Sequence, residues 1–174
     1  MADLADVLLL NRDDLMRITA FNGNIDEDKL LPHIKTAQDI HLRPVIGSKL
    51  MEKCKQLVAD GTLNDSINAN YKTLVYKYIT PCLSFWSAWD AMPFIQYEIA
   101  NGGVFQHNSE NSATPSDESV IMLIQKFKDK AESYSTIMSD YLCDNSNKYP
   151  ELNEATTGGE ISPRGEDVFH GWNY

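Results

Sequence analysis

Apolar side chains return every three or four residues along most of this chain, which is the spacing of helices with one buried face. The first such run opens at Asn11, a good N-cap, with Asp13 and Asp14 in the first turn where the helix dipole favours acids, and fades by Phe21. Asp26 is placed to cap a second helix, whose buried face is marked by Leu30, Ile34, Ala37 and His41. Pro44 disfavours a helical Arg43, so the second helix is expected to stop just before it. A third is expected from about Ser48, read as its N-cap, with Leu50, Met51, Cys54, Leu57 and Val58 as its stripe and Gly61 as its stop. "LNDSINANY" reads as a polar connector.

The most apolar stretch follows. Leu74, Tyr78, Cys82, Phe85, Trp86, Trp89 and Met92 keep the helical period and predict the central core, with a kink or a fresh start at Thr80-Pro81. The period then breaks. Asn101-Gly102 between short apolar runs predicts a β-hairpin, with strands at about 95–100 and 103–107. A loop leads to a long helix from about Ser116 to Cys143, free of Gly and Pro, with Val120, Leu123, Ile124, Phe127, Ala131, Tyr134, Ile137 and Tyr141 on one face. "DNSNKYP" ends it.

Beyond Glu154 no period survives, and Gly158, Gly159, Pro163, Gly165 and Gly171 argue against a helix. Yet Val168, Phe169, Trp172 and Tyr174 crowd large apolar groups near the tip, which plain disorder lacks. The expectation is an extended arm that docks on a partner through these four residues; folding back on its own core is the alternative. The predicted class is therefore mainly α: a helical bundle over residues 1–152 with a small hairpin near 95–107, and an extended C-terminal arm over 153–174.

Charge narrows the function. With 15 Lys and Arg against 25 Asp and Glu, the formal net charge is -10. A general nucleic-acid binder needs the opposite sign, because phosphate neutralisation supplies most of its affinity. Cys54, Cys82 and Cys143 are far apart and in no CxxC pair, so buried free thiols and a reducing compartment are expected. "MADLADVLLLNRDD" lacks the basic start and small-residue cleavage site of a signal peptide, and no apolar run approaches a membrane span.

Candidate chemistry is sparse. His33 and His41 are about 12 Å apart along a helix, too far to share one metal unaided. No GxSxG elbow is present, and Gly102-Gly103 and Gly158-Gly159 lack the Lys and following helix of a phosphate loop. Asp13-Asp14 and Glu166-Asp167 are neighbours in sequence and diverge in a helix. No catalytic, metal or cofactor residues are assigned, and no enzyme is expected.

What stands out instead is a joint at Pro44, Gly47 and Ser48 with no chemistry attached. "DEDKLLPHIKTAQDIHLRPVIGSKLMEKC", followed by a Trp-rich helix, an Asn-Gly hairpin, a long helix, "YPEL" at 149–152 and a loose tail, resembles the head–tail connector (adaptor or head-completion) proteins of tailed bacteriophages, most like the variants in Bacteroides-infecting crAss-like phages. The matching residues are Ile34, Ala37, Gln38, Asp39, Leu42, Pro44, Gly47 and Leu50, and the likeness covers roughly residues 10–152. It implies a homo-oligomeric ring of twelve subunits in the virion neck, assembled in the host cytoplasm. Such a ring binds the portal and an adjacent neck or tail protein and extends the DNA channel without specific DNA binding. Two other readings stay open: an acidic phage-encoded binding or inhibitor module, and a small helical enzyme.

Overall fold

The computed structural model describes residues 4–19, 21, 25, 27–100, 103–106 and 117–152. Within them the chain is mainly helical. After a 3-10 turn at Leu4–Asp6 come α1 (Arg12–Ile18), α2 (Glu27–Ala37), α3 (Arg43–Ile46), α4 (Ser48–Ala59), α5 (Ala69–Thr73), α6 (Thr80–Gln96) and α7 (Asp117–Asp144). Backbone pairing joins β1 (Tyr97–Ala100) to β2 (Gly103–Gln106) in antiparallel register, Tyr97 opposite Gln106; Asn101-Gly102 between them lies outside the described residues.

The centre is α6. Every residue from Cys82 to Ala88 is buried, so this helix is covered all round rather than along one stripe. It packs on α7, α2 and α1. Phe85 stacks on Tyr134 of α7 at 5.3 Å, and Trp86 donates its indole N–H to Ser135 Oγ at 2.9 Å. The long helix turns a narrower seam inward than its apolar spacing suggests: Phe127, Ala131, Met138 and Leu142 are buried, whereas Leu123 and Ile137, placed on that face by periodicity, are exposed. Their angular positions lie at and beyond the seam's edge, where α6 no longer covers them.

The Arg43-Pro44 step departs from the local rule, whereas at Thr80-Pro81, where a kink or a fresh start is expected, α6 begins. The second helix does not stop before Arg43. It widens into a π turn at Gln38–Leu42, in which Arg43 N–H bonds back to Gln38 C=O, and then runs on through Pro44 to Ile46. The same device recurs at Leu74–Ile79, where Thr80 N–H bonds back to Val75 C=O just before Pro81. A proline inside an α-helix has no N–H to give and crowds the carbonyl four residues back. A widened turn directly ahead of it shifts the hydrogen-bond register and makes room.

Three smaller expectations also give way. "LNDSINANY" is not all connector, since a 3-10 turn occupies Ser66–Asn68 and α5 begins at Ala69. Ser48 is the first residue of α4 and makes no capping bond; Gly47 holds the N-cap position. Cys54 and Cys82 are buried, but Cys143 is exposed.

Candidate functional site

The joint is built from the bottom by one glycine and one amide. Gly47 sits at φ 79°, ψ 156°, a region open essentially to glycine alone. A Cβ there would meet nothing within 4 Å, so it is the backbone angle, not space, that requires glycine. Its N–H closes the last turn of α3 on Arg43 C=O at 2.9 Å, and its C=O accepts from Met51 N–H at 3.1 Å to open α4. Pro44 and Ser48, on either side, are exposed.

Gln38, fully buried in the first π turn, ties the N-terminal segment to this joint. Its Oε1 accepts from Leu9 N–H at 2.8 Å and its Nε2 donates to Val7 C=O at 3.1 Å. A buried amide satisfied at both ends fixes geometry, because losing either partner strands a polar group in the core. Outside, Lys35 pairs with Asp6 at 2.9 Å and Arg43 with Asp39 at 2.9 Å. These exposed pairs contribute little. Ile34, Ala37, Leu42, Ile46 and Leu50 line the inner side and are fully buried.

The two histidines that share a helical run do not converge. His33 Nδ1 lies 3.0 Å from an Asp90 carboxylate oxygen. His41, in the π turn, stacks flat on Trp86 at 3.8 Å and meets Trp89 edge-on at 5.7 Å. Burial pulls the His41 pKa down from its usual 6.5, against a smaller upward pull from Asp90. Among the described residues no three His, Cys, Asp or Glu side chains gather as metal ligands. The Cys54 thiol is pushed up to about 12 by burial and by the neighbouring Glu151 carboxylate, and Cys82 to about 11 by burial. Both stay protonated at neutral pH and are poor nucleophiles.

At the far end, "YPEL" closes the bundle. Tyr149 is fully buried and its hydroxyl donates to Asn70 C=O at 3.0 Å, while Tyr141 Oη sits 3.0 Å from it. Tyr71 donates to the Glu151 carboxylate at 2.8 Å, and burial with this bond raises the Tyr71 pKa. Sequence reasoning missed the Gln38 clip, the His41–Trp86 stack and this tyrosine cluster. Gln38 had a signal: it falls four residues after Ile34 and four before Leu42, on a line that is otherwise apolar. The proposed docking residues Val168, Phe169, Trp172 and Tyr174 lie outside the described residues.

With this geometry, the matched region takes on a clear shape. A family model matches residues 42–160, from the last residue of the first π turn past the tyrosine cluster and over more than half of the chain. The chain belongs to DUF6712, a family of unknown function. The DUF6712 match thus takes in Gly47, the central helix, α7 and "YPEL", but leaves Gln38 and the N-terminal segment it clips outside. No curated protein and no solved structure matches the chain. Among the described residues no helix is long and apolar enough to cross a membrane.

Proposed function

We propose that this chain is a structural subunit of the ring that joins head to tail in a tailed bacteriophage. Twelve copies lie below the portal, extend the DNA channel and offer a surface to the next neck or tail protein. The observation that carries this reading is the joint itself. Five of the eight residues that carry the resemblance (Ile34, Ala37, Gln38, Leu42 and Leu50) are fully buried at the junction of α2, α3 and α4, and a sixth, Gly47, supplies the one backbone angle that turns the chain between them. Identical wedges close into a ring only if each holds the same angle, and a buried, satisfied joint supplies that.

In this reading the bundle is the wedge, the small hairpin is an attachment to it, and residues 153–174 form an extended arm. Val168, Phe169, Trp172 and Tyr174 are the arm's contacts with portal or neighbour. Aromatic residues are the ones most enriched at binding hot spots. The net charge of -10 suits a channel wall that DNA passes without adhering, since a cationic lumen would hold the duplex.

Co-expression with the portal protein of the same phage, followed by electron microscopy, tests the assignment. A ring of density stacked on the portal is expected. A chain that never co-purifies with portal rejects the connector role. Gel-shift assays at moderate salt should show no duplex binding, and tight binding would reject the passive channel.

A further inference from the structure

One face of α7 is exposed, apolar at both ends and basic in the middle. Met122, Lys126, Lys130, Ser133 and Ile137 follow one another at helical spacing and form a single stripe, with Leu123 at its edge. Met122 is 61% exposed, Leu123 45% and Ile137 50%. The stripe is turned away from the seam of Phe127, Ala131 and Met138 that packs on α6. Lys130 holds its ammonium 5.2 Å above the Phe85 ring, and Lys126 is exposed. Read from Ile137 back to Met122, the order is apolar, basic, basic, apolar.

The segment that follows Leu152 carries the complementary order. Ile161 is followed by the acids Glu166-Asp167 and then by Val168, Phe169 and Trp172. Residues 153–174 hold Glu154, Glu160, Glu166 and Asp167 against Arg164 alone. We propose that this segment lies back along its own α7, Ile161 at Ile137, the acid pair at Lys130 and Lys126, and Phe169 and Trp172 over Leu123 and Met122. The exposed apolar–basic–apolar stripe is thus the seat of the chain's own acidic, aromatic-tipped segment.

The reach is sufficient. Leu152 is buried in the body, close to the Tyr141–Tyr149 contact and so near the C-terminal end of α7. The stripe from Ile137 to Met122 rises roughly 22 Å. Ile161 to Trp172 spans up to about 38 Å when extended, and Leu152 to Ile161 up to about 30 Å. Tethering sets an effective concentration on the order of millimolar, so at micromolar protein the chain's own segment outcompetes that of a second copy. The contact does not depend on the connector reading. If that reading holds, Phe169 and Trp172 must leave α7 before they engage a partner, so assembly and self-docking exclude each other.

Hydrogen exchange of the full-length chain tests this. Amides of α7 from Ser119 to Lys130 should exchange several-fold faster in the Phe169→Ser/Trp172→Ser variant than in wild type, equally at low and high micromolar concentration. The Glu166→Lys/Asp167→Lys variant should show the same acceleration, partly reversed by adding Lys126→Glu. Melting temperatures should be nearly unchanged throughout. Equal exchange in wild type and both tail variants would overturn the proposal. So would protection that appears only at high concentration, which would assign the stripe to a second copy.

Discussion

The two ends of α7 are similarly rich in apolar residues and are used in opposite ways. At the C-terminal end Tyr141 stacks on Tyr78 at 3.9 Å, Met138 and Leu142 are buried, and Tyr149 closes over them. At the N-terminal end packing ends with Phe127, which meets Phe21 at 5.8 Å and Phe85 at 6.1 Å; the helical body leaves Ile121, Met122 and Leu123 exposed. One helix thus carries a sealed half that holds the body together and an open half available for contact. Apolar spacing alone does not separate them, because which neighbour covers a face is decided by the tertiary arrangement.

The sealed half can be broken most sharply at Trp86, which packs between His41 and α7. Trp86→Ala should lower stability by about 3–5 kcal/mol, from the lost ring and the cavity left behind, and thermal melting checks it. An unchanged melting temperature would mean the central stripe is not core. At the joint, Gly47→Ala should cost about 1–3 kcal/mol through backbone strain alone, since the Cβ meets nothing. Tyr149→Phe should cost about 0.5–1.5 kcal/mol by removing the hydroxyl that bonds Asn70 C=O and Tyr141 Oη.

Acidity probes the His41 stack. Its pKa is lowered in the fold, so the unfolded chain binds the proton more readily. The His41 contribution is therefore intact above the unfolded value of 6.5 and is lost as pH falls through it towards the lower folded value. Melting followed across this window should show a decline that His41→Gln flattens; an identical pH profile would remove His41 from the account. The smallest effect belongs to the open half. Leu123→Ser should change stability by no more than about 0.5 kcal/mol, and a larger loss in denaturant titration would place Leu123 in the core.

Much of the fold is legible from spacing. Asn11 caps α1 as its chemistry demands, accepting from Asp14 N–H, and Gly61, at φ 70°, stops α4. The stripe of Leu50, Met51, Cys54 and Leu57 is buried, and so is most of the Trp-rich helix. Pro44 misleads because local propensity treats the preceding turn as an α turn, whereas a π turn admits the proline. His41 looks like a core marker at helical spacing, yet it is a half-buried ring held by two indoles. The joint at Gly47 is visible in sequence, but the Gln38 clip that stabilises it depends on Val7 and Leu9, some thirty residues away, and no local pattern carries that pairing.

The central claim is that the folded body is a scaffold and that partner binding resides in residues 153–174. It is tested most directly by the mass of the complex formed with the portal protein, measured by mass photometry for the full chain and for a chain lacking residues 160–174. The account predicts a ring-sized gain in mass for the full chain. For the shortened chain it predicts no gain, with helical content and melting nearly unchanged. A shortened chain that still assembles at full strength, or one that unfolds, would contradict it.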